Sequence, residues 1–109
     1  MTKTWCINNN INPEHSSIDD EINMLFKYKI TKFDIIHPTG GSGNEIHQSP
    51  IWVRPESLEK DCTEHIHVIG HTYNGSIEFN DNYINTDALP HEYVIIDTNT
   101  NEYYINKLV

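Results

Sequence analysis

Residues 65–72 read H-I-H-V-I-G-H-T. Ile66, Val68 and Ile69 are β-branched, histidines alternate with them, and Gly70 then interrupts the run. Period-two alternation built from β-branched residues predicts a half-buried strand, and the glycine predicts its end. The rest of the chain repeats this signal. S-I-E-F-N-D (76–81) and N-Y-I-N-T-D (82–87) are short strand candidates around an Asp81-Asn82 turn. Y-V-I-I-D (93–97) and E-Y-Y-I-N-K-L (102–108) flank the turn Thr98–Asn101, which predicts a hairpin with a longer loop.

Toward the N-terminus the period changes. S-S-I-D-D-E-I-N-M-L-F-K-Y-K (16–29) predicts the one long helix. Ser16 or Ser17 is its cap, Asp19, Asp20 and Glu21 sit in its positive first turn, and Lys27 and Lys29 lie near its negative end. Ile18, Ile22, Leu25 and Phe26 form its apolar stripe. Residues 5–15 read as an irregular lead-in, and Phe33, Ile35 and Ile36 as a short strand. The G-G-S-G run (40–43) is followed by no G-K-[ST] and opens no helix, so it reads as a flexible loop and not a phosphate cradle. A short helix is expected from Pro55, because proline suits a first helical turn.

The pattern predicts a single α+β domain: an N-terminal helix and an irregular middle, followed by a mainly antiparallel sheet of four to five strands. The expected core draws on Ile22, Leu25, Phe26, Trp52, Ile66, Val68, Ile84, Val94, Ile96, Tyr104 and Leu108, with Trp5 and Trp52 as packing anchors.

The formal net charge is -9, from 16 acidic against 7 basic side chains, and no basic stripe exists. That argues against a nucleic-acid or anionic-membrane surface and favours a soluble protein, or one that meets a basic partner or binds cations; a protein partner or self-association is expected. No apolar run reaches signal-peptide or membrane-span length. The expected location is therefore cytoplasmic, with Cys6 and Cys62 reduced, although a bridge between them is geometrically open.

His65 and His67, two apart, project from one strand face. With Cys62 they number three of the four donors a zinc ion takes, but their spacing fits no zinc motif, and the expected role is that of edge or surface histidines. His71 stands just past the strand end, behind a glycine, where α/β proteins often place functional groups.

V-I-G-H-T (68–72), N-Y-I-N-T-D (82–87) and S-P-I-W-V-R-P (49–55), taken in order, resemble the C-terminal part of the calcineurin-like metallophosphoesterases, in their bacterial and viral serine/threonine-phosphatase-like branch. T-K-T-W (2–5) is similar to the stretch that follows the family's preceding histidine motif. The resemblance implies that His71 is the family's last metal-binding histidine and Arg54 its phosphate-contacting arginine. Tyr73 stands where some members have a second histidine, and Asp87-Ala88-Leu89 where the family reads D-T-G. The motifs D-x-H, G-D-x-x-D and G-N-H-[DE], which supply most ligands of the family's two-metal centre, do not occur in this chain.

The expectation is therefore a C-terminal metallophosphoesterase-like portion, inactive alone, that needs an N-terminal portion to complete its site. Manganese or another divalent metal is expected only in such a completed site, with no catalytic residue in the isolated chain. The alternative is a non-catalytic binding or regulatory protein that keeps the scaffold. A third reading, a compact metal protein using His65, His67, His71 and Glu64, lacks a ligand spacing pattern.

Overall fold

A computed structural model describes residues 1–34 and 42–108. The chain divides into two compact units, Met1–His65 and a second beginning at Ile66. The class is α+β, with helices in the first unit and strands in the second.

The first unit begins with a helix where the sequence reads as irregular. Helix α1 spans Lys3–Asn8. Thr2 caps it, its hydroxyl accepting from the Trp5 N–H at 3.1 Å, and the Asp61 carboxylate accepts from the Thr4 N–H at 2.8 Å. At the other end the Ile11 N–H bonds back to the Cys6 carbonyl at 2.9 Å and the Asn10 N–H to that of Ile7 at 3.1 Å. Asn10 is left-handed, with φ 59°. These are the two crossed bonds of a Schellman stop, with asparagine in the position glycine usually takes. Its accompanying apolar contact joins Ile11 and Cys6, both in the buried cluster of this unit. The pattern escapes a periodicity reading because six residues are fewer than two helical turns.

Helix α2 spans Ile18–Tyr28, close to the expected range, with Asp19, Asp20 and Glu21 in its first turn. Ile18 is buried, and Ile22 and Leu25 pack against the cluster. Phe33 lies in a 3-10 turn, Ile30–Phe33, and not in a strand; Ile35 and Ile36, expected to continue it, lie outside the described residues. The Phe33 ring meets Trp5 edge-on at 5.3 Å and Phe26 at 5.0 Å. Helix α3, Pro55–Asp61, places Pro55 in its first turn as expected, and buries Leu58.

Gly40 and Gly41 lie outside the described residues, but Gly43 is no flexible loop residue. Its φ is +83°, and a Cβ there would stand 2.5 Å from the Trp52 carbonyl oxygen and 2.9 Å from Arg54 Cγ. Its own carbonyl accepts from the Arg54 N–H at 2.8 Å and the Ser57 hydroxyl at 2.6 Å. Only glycine permits both the left-handed backbone and this close approach.

Among the described residues the second unit holds five strands: β1 His67–Ile69, β2 Glu78–Phe79, β3 Tyr83–Asn85, β4 Glu92–Asp97 and β5 Glu102–Lys107. The first three form a sheet in the order β1-β3-β2, and the last two a separate hairpin. Two of the three pairings are antiparallel, while β1 runs parallel to β3. Central β3 is buried along its whole length. The β2–β3 turn is made by Asn80, whose side-chain oxygen accepts from the Asn82 and Tyr83 N–H groups at 2.8 and 3.0 Å. In the β4–β5 turn Asp97 does the same for Asn99 and Thr100, and Asn101 adopts φ 57°.

The core of this unit is Ile77, Ile84 and Ala88, with Val94 and Ile96 packed against it. Ile84, Val94 and Ile96 behave as expected, whereas Ile66 and Val68 are 58% and 56% exposed and His67 between them only 9%. The register explains the reversal. His67 pairs with Tyr83 and Ile69 with Asn85, and both partners are buried, so the histidine phase of β1 is the covered one. Tyr104 and Leu108 are also exposed. Tyr104 is directly opposite the exposed Ile95, while Tyr103, opposite Ile96, meets the half-exposed Phe79 at 5.0 Å. Phe26 is largely exposed beyond its edge contact, and Trp52 is half-buried.

Candidate functional site

The histidines of the opening stretch have three different surroundings. His65 closes the first unit half-buried, its Nε2 buried with no hydrogen-bond partner. His67 is not a surface residue. Its Nδ1 and its backbone N–H both approach the Asn82 carbonyl at 3.2 Å, which assigns the ring proton to Nδ1 and clamps β1 to the start of β3.

His71 is exposed and carries φ 66°. The left-handed residue of this turn is thus the histidine and not Gly70, where an added Cβ would meet nothing nearer than Thr86 Oγ1 at 3.8 Å. Left-handed histidine is uncommon and unfavourable, and such positions cluster where structure serves function. The turn is held from outside: Asn85 Nδ2 donates to the Thr72 carbonyl at 2.8 Å, the Thr86 N–H to that of Ile69 at 2.8 Å, and the Asn74 N–H to that of Asp87 at 3.2 Å. Tyr73 points into solvent.

Arg54 belongs to the first unit and His71 to the second. Arg54 is the residue before helix α3, with its guanidinium carbon 5.6 Å from the centre of the Trp52 ring. Its backbone is fixed by Gly43, and a nearby carboxylate braces the same loop. Glu45 accepts from the Ser42 and Gly43 N–H groups at 3.3 and 3.1 Å. Backbone hydrogen bonds, first at Glu45 itself and then at Ser42, hold the Glu45 carboxyl below its usual range.

Among the described residues, no three His, Cys, Asp or Glu side chains come together as metal donors. The third reading of the sequence, a site from His65, His67, His71 and Glu64, therefore has no geometry behind it. The donor set also does not fit a two-metal phosphatase centre, which needs bridging carboxylates around its ions. Cys6 and Cys62 are not joined in a disulfide, and Cys62 meets the Thr2 backbone in a single antiparallel bridge.

A feature that sequence reasoning missed lies in the second unit. Ile66, Val68, Phe79 and Tyr103 line an apolar cavity of about 130 Å³, with Asn80 and Asn101 among its walls. It is floored by Ile84 and Ile96 of the core. The sequence carries the alternation that builds this face, but not the phase that turns it outward.

No helix among the described residues is long and apolar enough to cross a membrane. Comparison with protein-family models, curated proteins and solved structures found no match for this chain. The likeness to metallophosphoesterases accordingly rests on its short motifs alone.

Proposed function

We propose that this chain works by association with another protein chain and is not a self-sufficient catalyst. One observation carries the reading: β1 keeps its histidine covered and turns Ile66 and Val68 outward, beside the half-exposed Phe79 and Tyr103. Contiguous apolar surface of this kind marks sites of protein contact. The acidic balance argues against nucleic acid and anionic membrane as the partner, and two cysteines without a disulfide suit a reducing, cytoplasmic setting.

The reading has two forms. In the form supported by the dispersed donor residues, the chain is a non-catalytic binding or regulatory protein. In the other, its partner is the N-terminal portion of a metallophosphoesterase. That form is favoured by the exposed, left-handed His71 directly after β1. His71 would then be a metal ligand of a site whose remaining ligands come from the partner.

Size-exclusion chromatography with light scattering tests the common reading. Self-association, or a stable complex with the product of an adjoining gene carrying D-x-H, G-D-x-x-D and G-N-H-[DE], is the expected result. A clean monomer that binds no such product and no apolar dye would sink it. The isolated chain is expected not to hydrolyse p-nitrophenyl phosphate with added Mn²⁺, and turnover abolished by His71→Ala would overturn its catalytic incompetence.

A further inference from the structure

The β4–β5 hairpin has a face that the core does not use. Val94 and Ile96 pack against the core, so the alternate residues turn the other way: Tyr93, Ile95 and Asp97 on β4, with Asn106, Tyr104 and Glu102 opposite them on β5. Tyr93, Ile95 and Tyr104 are exposed, as are both carboxylates. The hairpin brings no cation to this face. Lys107 is the only lysine or arginine after residue 65, and it pairs with Glu92 in the inward-facing set.

Asp97 and Glu102 are directly opposite each other. Like charges in that position, about 5 Å apart, repel and weaken a hairpin. Local hydrogen bonds hold both carboxylates in place. Asp97 Oδ1 accepts from the Asn99 and Thr100 N–H groups. Glu102 Oε2 accepts from the Tyr104 hydroxyl at 3.0 Å and the Thr100 hydroxyl at 3.4 Å. Asparagine and glutamine would accept the same bonds without charge, so the turn itself does not call for two anions.

The chemistry of the face defines what covers it. Two carboxylates beside tyrosine rings suit a guanidinium, which forks its N–H donors onto carboxylates and stacks on aromatic faces. The face repels anions, and a second copy meeting it face to face would bring the same two carboxylates against these. The next pair along, Ile95 and Tyr104, lies two residues away, about 7 Å in a strand. Alternate side chains of an extended segment have that same spacing.

We propose that this face docks an extended, arginine-bearing segment of a partner protein. The guanidinium lies between Asp97 and Glu102, and an apolar side chain two positions along covers Ile95 and Tyr104. The proposal rests on the reading of the chain as one that works by association, and it adds the partner's chemistry at a surface other than that of β1.

The test is a titration of the ¹⁵N-labelled full chain with the capped peptide G-S-R-S-L-S-G and with versions carrying citrulline for arginine or serine for leucine. The parent peptide is expected to move the amide signals of Ile95, Asp97, Glu102 and Tyr104, with Kd about 1 mM or below, and each altered peptide to bind at least about threefold more weakly. Asp97→Asn and Glu102→Gln are each expected to weaken binding about threefold, and together about tenfold, the scale of exposed charge pairs. Both should raise resistance to urea, because they remove a like-charge contact. Asp81→Asn takes the same charge from another exposed turn and should leave binding unchanged. No shift at about 5 mM parent peptide would overturn the proposal. So would equal binding of the citrulline peptide, unchanged binding in the double variant, or a loss of urea resistance showing that the hairpin needs the charges. Shifts confined to Ile66, Val68 and Phe79 would overturn this surface and leave the association reading standing, whereas a clean monomer that binds nothing in the chromatographic test sinks that reading itself.

Discussion

The two units close their interiors by different means. In the first, large aromatic and aliphatic side chains are fully covered: Trp5, Phe33 and Leu58 are buried, and Trp5 and Phe33 meet edge-on. In the second, the buried apolar residues among those described are, besides Tyr83, the modest trio Ile77, Ile84 and Ala88, while Ile66, Val68, Phe79 and Ile95 remain open. Its covered positions are instead taken by groups that satisfy one another: His67 on the Asn82 carbonyl, Asn85 on that of Thr72, and the Tyr83 hydroxyl donating to Glu78 at 3.3 Å. Buried polar groups with partners fix a register but add less than apolar burial does. The helical unit is thus expected to be the more stable, and the strand unit the more dependent on whatever meets its open face.

The largest effect should separate the units directly. Trp5→Ala removes a fully buried indole and is expected to cost about 3–5 kcal/mol, enough to unfold most of the first unit at room temperature. Val68→Ala trims a side chain already in solvent and should cost about 1 kcal/mol or less. Urea unfolding of both variants measures the contrast. Equal costs in a chain that light scattering shows to be monomeric would mean that the apolar face of β1 is covered within the chain itself, and would remove the main support for association.

Glycines sharpen the same contrast at the level of the backbone. Gly43→Ala forces a methyl to 2.5 Å from the Trp52 carbonyl at φ +83°. The expected cost is about 2 kcal/mol or more, with displacement of Arg54. Gly70→Ala has room and an ordinary backbone, and should stay within about 1 kcal/mol of the parent. A large loss at Gly70 would mean that the V-I-G-H-T turn is tighter than its geometry indicates.

At His71 the sign reverses. Replacing a left-handed histidine by glycine relieves backbone strain, so His71→Gly is expected to stabilise the second unit by about 0.5–1 kcal/mol in thermal or urea unfolding. A destabilised variant would show that the imidazole makes a structural contact, and would weaken the case that the position is kept for function.

What the sequence disclosed follows from which physical signals are local. The long helix, the hairpins and the class were legible because 3.6- and 2-residue periods and Asn/Asp turns are written within a dozen residues. The phase of β1 was not, since H-I-H-V-I offers two faces and the choice depends on Tyr83 and Asn85, some sixteen residues on. Helix α1 escaped because its signals are a threonine cap and a left-handed asparagine, with no stripe to count. Gly43 looked like a mobile linker residue because the carbonyl that excludes a side chain there belongs to Trp52, nine positions away. The candidate site suffered most: His65, His67 and His71 are neighbours in sequence, yet one faces inward, one sits half-buried before the strand, and one stands exposed on a turn.

The smallest expected effect concerns the two thiols, both in the first unit, and it tests how tight that unit's interior is. Cys6 lies in the aromatic cluster of the first unit and is fully buried. Burial pushes its thiol up to about 11, with the nearby N-terminal amine opposing and Asp61, Glu14 and Glu21 adding to the shift. Cys62, half-buried, is raised by the same cause. Below pH 9 the Cys6 thiol is neutral in both folded and unfolded chains and leaves stability unchanged. Above it the unfolded chain loses its proton first, so stability declines as pH climbs from about 9 toward 11. At pH 8 an aromatic disulfide reagent should therefore modify Cys62 well before Cys6, with Cys6 reacting only as the unit opens. If Cys6 reacted first without urea, the aromatic cluster would be breathing on the reagent's timescale, and the first unit would no longer be the tighter of the two.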